Sequence, residues 1–542
     1  MDPLNPVPEK GRIASIDVLR GFALLGILVM NIQAFAMPFC AYMNPTSFGE
    51  QEGINHWVWG FGHIFFDMKF MGLFSMLFGA GVMLFADRAE ARGASLSQVR
   101  WLHCNRNFWL VMFGLLHAHL LWSGDILFAY GVCAFPVYLF RHRSARTLLI
   151  CGFLFLLLGS GLSLMFGLSF DQWPEQGQAE LAQFWQPDQA ALDEEITKYS
   201  AGFASGFASN SEGSFFVETF IFATNIFWRV MGMMLLGMAF YRSKILSGER
   251  SAAFYRRLLM AGAVIGLLLI GNGMRENYAH DHAIEYSFYL GVQWNYWGSV
   301  ALSMAYIGLI VGWVRSGRWP ALQQRLGAVG RMAFSNYILH TLIGVLIFRV
   351  LGYFGTFERW QQLVLVVAIW ILQLWLSPLW LARHRYGPLE RMWRTLTYKY
   401  LALQNSLAVL VGLMVGAGVN MLIVLLNLMI FPMPEGLSMQ DREGFSAWAA
   451  TLPDSAFILP MVAHLAQAFG GGWLAARLGT LFGVLHTRAL AMCIGVLSLA
   501  GGIANALSLE IPTWMWLEMP FYLVLAWVAG TIEVKRRAAL AG

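Results

Sequence analysis

Stretches of about 20 mostly apolar residues, the length that crosses a bilayer, recur from residue 16 to residue 534. No other feature constrains the fold as much. In hydrocarbon every backbone N–H and C=O has to be satisfied within the structure, which leaves helices or a closed barrel. Apolar runs this long and continuous read as helices. They fall near 16–37, 57–85, 106–122, 125–141, 147–169, 214–240, 257–273, 286–314, 332–353 and 361–382, then 401–431, 455–476, 489–509 and 513–534. The prediction is an all-α, polytopic integral membrane bundle of about fourteen helices. Composition agrees, with 58% hydrophobic and 12% charged residues and a mean hydropathy of +0.57, against about 25% charged in soluble chains. The third and fourth spans are short and read as a tight hairpin around Ser123-Gly124.

Loop charge sets the orientation. With the N-terminus inside, alternate connections collect "DRAEARGASLSQVR", "RHRSAR", "YRSKILSGERSAAFYRR", "RSGRWPALQQRLGAVGR", "RHRYGPLERMWRTLTYKY" and the final "KRR". About 29 of the 36 Lys and Arg lie on that side, the cytoplasmic one under the positive-inside rule. The other side receives the acidic stretch 170–213, whose alanine-rich middle reads as a short amphipathic surface helix. Both termini are then cytoplasmic and the span count is even. The opening "MDPLNPVPEKGR" lacks a signal peptide's basic region and cleavage site, so the first span reads as a retained anchor. The net charge of +5 follows from the loops and implies no nucleic-acid partner. Cys40, Cys104, Cys133, Cys151 and Cys493 show no metal-ligand or CxxC spacing, and no metal is expected.

Composition shifts near residue 400, where aromatic density falls and glycine and alanine rise. The expected domains are 1–400, with ten spans, and 401–542, with four. In the latter, "GLMVGAG" and "GGIANA" read as small-residue faces for close helix contact. With His464 as its main ionisable group, this tail reads as structural or partner-binding, a surface for homo-oligomers beside membrane lipids.

Ionisable groups inside spans are expensive and invite a functional reading. In "LLHAHLLWSGDILFAYG" (115–131), His117 and His119 point about 200° apart on a helix and cannot face one site. Asp125 follows a Ser-Gly turn and can fold back on His117, either as a base and its orienting carboxylate or as a hydrogen-bonded clamp. Lys69 and Asp67 do not share a helix face, so each needs a partner elsewhere. Arg229, central in its span, is available to neutralise Asp67 or to bind an anion. Asn336 and His340, at i and i+4, extend a polar cavity or bond between helices. Arg20, at the inner end of the first span, binds phosphates or pairs with Asp17.

"IASIDVLRGFALLGILVMNI", "KFMGLFSMLFGAG", "LLHAHLLWSGDILFAYG", "GMMLLGMAFYRS", "GRMAFSNYILHTLIG" and "YGPLERMWRTLTY" occur in the order of the YeiB-like family of polytopic bacterial inner-membrane proteins, which residues 12–400 resemble. The resemblance implies the bacterial cytoplasmic membrane and carries His117 and Asp125, not His119. "DVLRGFALLGILVMN" is also distantly similar to the first helix of transmembrane acyltransferases of the heparan-α-glucosaminide N-acetyltransferase type. There, as here with Arg20 and Asn31, an Arg is followed eleven residues later by Asn; His56-Trp57-Val58-Trp59 and Asp67 match the His-x-x-Trp and Asp that follow. That similarity implies acyl transfer from cytosolic acyl-CoA, with no metal, to an acceptor across the membrane. Arg20, Asn31, His56, His117 and Asp125 would surround a cavity open to both sides, with His56 as an outer base or, alternatively, an interfacial aromatic-belt residue.

Two other classes stand beside the acyltransferase. In a transporter or exporter of a metabolite or lipid, Asp67, Lys69 and Arg229 form the path. In a membrane scaffold, the tail binds a partner.

Overall fold

The computed structural model describes residues 12–50, 52–200, 207–399, 402–434, 437, 442–479, 484–508 and 512–541. Residues 1–11, on which the leader reading rests, lie outside them. The described chain is helical throughout and contains no strand. Eleven of its helical runs are long and apolar enough to cross a membrane, making this a multi-pass membrane protein.

The chain forms two compact units, residues 1–398 and 399–542. The first begins with α1 (Ala14–Ala36), α2 (Gly53–Phe65), α3 (Lys69–Glu90), α4 (Leu96–Leu120), α5 (Leu127–Tyr138) and α6 (Ala145–Leu168). Three polar-segment helices follow, α7 (Glu175–Trp185), α8 (Gln189–Ser200) and α9 (Phe207–Phe216), where the sequence suggests one. Then come α10 (Phe227–Arg242), α11 (Ala252–Ala279), α12 (Val292–Ser316), α13 (Pro320–Arg331), α14 (Ala333–Gly344), α15 (Arg359–Arg383) and α16 (Pro388–Lys399). Ser95, Ser144 and Ser251 accept backbone N–H bonds at the starts of α4, α6 and α11. Caps of this kind contribute about 1 kcal/mol each.

The core is built around α10, in which every residue from Arg229 to Phe240 is buried. A helix apolar all round belongs inside a bundle, and α10 packs against both α3 and α6. Two glycines set the α3–α10 approach. A Cβ at Gly79 would run into the Met234 carbonyl, and one at Gly237 into the Met76 carbonyl. Elsewhere α1 and α13 meet as closely, with Gly21 against the Leu326 carbonyl and Gly330 against that of Asp17.

Among the described residues, some of the expected spans fall outside the eleven long apolar runs for local reasons. The third span is longer than its hydropathy suggests: α4 starts at Leu96, so Arg100, His103 and Arg106 lie on it and dilute its apolar signal. Its partner α5 has only 12 residues, about 18 Å of helix, too short to cross alone. The run Gly53–Glu90 is broken between α2 and α3, where Met68 takes a left-handed backbone (φ 62°) that non-glycine residues seldom adopt. Residues 217–226, 287–291 and 345–350 are wound as π-helix, a form concentrated at functional sites.

The second unit contains α17 (Ala402–Ile430), α18 (Ile458–Leu478), α19 (Val484–Ser508) and α20 (Met519–Ala541). The "GLMVGAG" face is spent within it, since Gly412 and Gly471 meet backbone to backbone between α17 and α18. His464 Nδ1 lies 3.0 Å from buried Glu518, which also accepts the Tyr522 hydroxyl at 3.1 Å.

Candidate functional site

The first unit contains a pair of adjoining chambers opening at its arginine-rich end. The outer one, of about 170 Å³, is lined by Arg12, Arg20, Arg88, Arg92, Arg106 and Arg394 with one carboxylate, Asp17. It shares Arg12, Arg20, Gly81, Phe85, Arg106 and Arg394 with an inner chamber of about 210 Å³ between α1, α3, α4, α5, α14 and α16. The inner wall is aromatic: Phe74, Phe78, Tyr130, Phe334, Tyr337 and Trp393. Two buried polar atoms there have no hydrogen-bond partner, Asn107 Oδ1 and Tyr386 Oη. Unsatisfied groups of this kind cost about 1–3 kcal/mol each, so a ligand with polar groups at that depth gains by meeting them.

The mouth is held by local pairs. Asp17 accepts both Arg12 (2.8 and 2.9 Å) and Arg20 (3.2 Å). Arg106 lies over the Phe85 and Trp393 rings, and Arg394 over Tyr386. Glu390 of α16 accepts the Phe334 and Ser335 N–H groups (2.8 and 3.1 Å) and the Ser335 hydroxyl (2.5 Å). It therefore caps the positive end of α14. Burial nevertheless holds its carboxyl above the usual carboxylate range.

His117 and Asp125 are brought together behind the far wall. His117 Nδ1–H donates to Asp125 Oδ1 at 2.7 Å, which leaves Nε2 to accept the Thr341 hydroxyl at 2.9 Å. Asp125 precedes α5, and its Oδ2 accepts the Phe128 N–H at 2.7 Å, capping the helix. The His117 ring lies 5.3 Å from that of Tyr337, which lines the chamber, as does Ile126 beside Asp125. His103 lines the chamber fourteen residues before His117 on α4, roughly 21 Å lower along the axis. The cavity thus leads from the arginines towards the His117 pair. His119 points elsewhere, between Ser211 (2.8 Å) and Glu218 (3.2 Å).

The other sequence candidates sit apart from this chamber. Lys69 Nζ donates to the His63 carbonyl (2.5 Å) and to Asn295 Oδ1 (2.6 Å), and Asn295 Nδ2 donates to Asp67 (2.7 Å). Arg229 forms no ion pair with Asp67. It donates to Ser299 (2.6 Å) and to the Tyr296 and Met68 carbonyls, lying over the Tyr296 ring. Lys69 thus ties the end of α2 to α12, and Asp67 is met by Asn295 and by His63 Nδ1 (3.2 Å) where the sequence suggests Arg229. Asn336 donates to Ser377 and His340 to Gln373, bonds between α14 and α15. Asn31 is half-buried on α1 and His56 lies against Tyr278 (3.5 Å). Of the five expected residues only Arg20 lines the chambers, so they do not surround one cavity.

Sequence reasoning missed Thr341 and Tyr337, although "SNYILHTLIG" carries both. Of the mouth it named Arg20 alone, because the other arginines were indistinguishable from those that set orientation.

The fold and site define a polytopic helical membrane protein with a basic-mouthed, aromatic-lined cavity. The chain belongs to the YeiB-like family. It is 32% identical over 396 residues to the uncharacterized protein YeiB of Escherichia coli (strain K12), spanning 72% of this chain and 97% of that protein. It is 30% identical over 418 residues to the uncharacterized protein YxaH of Bacillus subtilis (strain 168), spanning 73% and 97%. An uncharacterized 39.9 kDa protein in the amylase 3' region of Bacillus acidopullulyticus is 26% identical over 404 residues, spanning 73% and 96%. Residues 240–400 match the family described as protein of unknown function (DUF418).

Proposed function

We propose that this protein is a membrane-embedded acyltransferase of the bacterial cytoplasmic membrane. It takes an acyl group from a cytoplasmic acyl-CoA-like donor and passes it to an acceptor arriving from the outer side. The observation that carries this reading is the arginine-ringed mouth opening into an aromatic chamber. Arginine suits phosphate groups because its fork of donors matches their geometry. The unpartnered Asn107 and Tyr386 atoms suit the amides and carbonyl of a pantetheine-type arm, and the aromatic wall suits the acyl chain. Loop charge supports a cytoplasmic mouth.

His117, oriented by Asp125, is the base in this account. The acceptor's O–H or N–H proton goes to Nε2 as the acceptor attacks the thioester carbonyl; the C–S bond then breaks and the departing thiolate takes that proton back from the imidazolium, leaving as the thiol. The Thr341 hydroxyl holds Nε2 in the place an acceptor would take. The C-terminal helices serve self-association within the lipid. The test is transfer of label from acyl-CoA, supplied on the mouth side of oriented proteoliposomes, to acceptor on the other side. Transfer that needs His117 and Asp125 supports the reading; donor that is never consumed opposes it.

One observation favours a second reading, transport. Broken membrane helices form substrate sites in many transporters, and the α2–α3 break gathers Asp67, Lys69 and Arg229. Solute counterflow without acyl transfer would select it.

A further inference from the structure

A second, smaller cavity of about 20 Å³ lies between α1, α2 and α15, at the end of the unit away from the arginine mouth. Its wall includes Arg359 and Gln362, 4% and 1% exposed. Arg359 Nη1 donates to Gln33 Oε1 at 2.6 Å and Nη2 to the Ala41 carbonyl at 3.3 Å, while Nε has no partner. Gln362 Nε2 donates to the Phe357 carbonyl at 3.0 Å, and its buried Oε1 has no partner. Two residues of the cavity wall therefore carry one unmet donor and one unmet acceptor.

This combination selects a chemistry. An anion needs donors alone and would face the lone pairs of Gln362; turning the amide over would sacrifice its bond to Phe357. An ammonium needs acceptors and would face the Arg359 charge. A hydroxyl fits both, its oxygen accepting from Arg359 Nε and its O–H donating to Gln362 Oε1. The volume admits a group of about one water's size. The rim carries Trp59 and the exposed Phe61, which leave room for the rest of such a molecule on an apolar surface. We infer that this cavity is a binding site for a single hydroxyl group of an alcohol or polyol approaching from the outer side. Its use as the acceptor's docking point rests on the acyl-transfer reading; the binding does not.

The test uses crystals of the full chain, without donor, soaked separately in 4-bromobenzyl alcohol, 4-bromobenzylamine, 4-bromobenzoate and sodium bromide. The ring is common to three probes, so only the polar group differs. The expected result is anomalous bromine density at the Trp59–Phe61 rim for the alcohol alone, lost in Gln362→Met, which keeps the side chain's length and removes its acceptor. Bromide or benzoate density beside Arg359 without the alcohol would make this an anion site and overturn the inference. Density for none of the probes would leave a site for water only and overturn it as well. Because acyl-CoA takes no part, the outcome stands or falls separately from acyl transfer.

Discussion

His117 Nδ1 and Asp125 Oδ1 lie 2.7 Å apart, eight residues apart in sequence and buried together between the end of α4 and the start of α5. The aspartate fixes which imidazole nitrogen carries the proton, and Thr341 takes the other. If this is the base of an acyltransferase, His117→Ala and Asp125→Asn should each lower transfer about 10²–10⁴-fold. The double variant should fall little further, because groups acting as one unit are not additive. His119→Ala should stay within a few-fold. Rate assays and melting curves on the same preparations check this. Variants that lose about 1–3 kcal/mol of stability while keeping normal activity per folded molecule would make the pair a clamp.

Much of this architecture was readable from the sequence, and the hydrocarbon solvent is why. Backbone polarity that must be satisfied within each span makes long apolar runs helical whatever their neighbours. The reading slipped where charge entered a helix, as at Arg100, His103 and Arg106 of α4. It slipped again where one apolar run hid the left-handed break at Met68. The His117–Asp125 pairing was legible because a Ser-Gly turn folds them together. Thr341, 224 residues from His117, had no local signal, since threonine is ordinary in membrane helices. Asn31 and His56, carried over by resemblance alone, lie outside the chambers.

Gly79 and Gly237 should tolerate no side chain. A methyl at either meets a carbonyl of the opposing helix in a core that cannot yield easily. Gly79→Ala and Gly237→Ala should each destabilise the protein by about 1–3 kcal/mol, read as a lowered Tm in detergent. Gly81→Ala, which meets nothing within 4 Å, is the control and should melt like the parent.

Glu390 gives the stability a pH dependence of known sign. Its folded carboxyl lies above its ordinary 4.5 because of burial, so the folded state holds the proton more tightly than the unfolded chain. The stability this contributes is present in full below about 4.5 and is lost as pH rises through the folded value. The Tm of the parent minus that of Glu390→Gln should therefore be greatest near pH 4, decline as pH rises, and then level off. A difference that is flat, or that grows with pH, contradicts the assignment.

Orientation follows from loop arginines and is open to labelling. In a cysteine-free background, single cysteines within 170–200 should react with an impermeant thiol reagent on intact cells. Those within 315–331 should react only after permeabilisation. The reverse pattern would put the arginine mouth outside, away from any cytoplasmic donor.

The central claim is that the arginine-mouthed cavity holds an acyl-CoA-type donor, and the most direct measurement is photo-crosslinking. A diazirine-bearing acyl-CoA, irradiated with the purified full chain in nanodiscs and mapped by mass spectrometry, should label the chamber wall, with Phe78, Phe334 and Tyr337 foremost. Unlabelled acyl-CoA should compete, and Arg20→Glu/Arg394→Glu should abolish the label. Label confined to lipid-facing positions such as Leu268 on α11 or Leu154 on α6, or insensitive to competitor and to those arginines, would contradict the account.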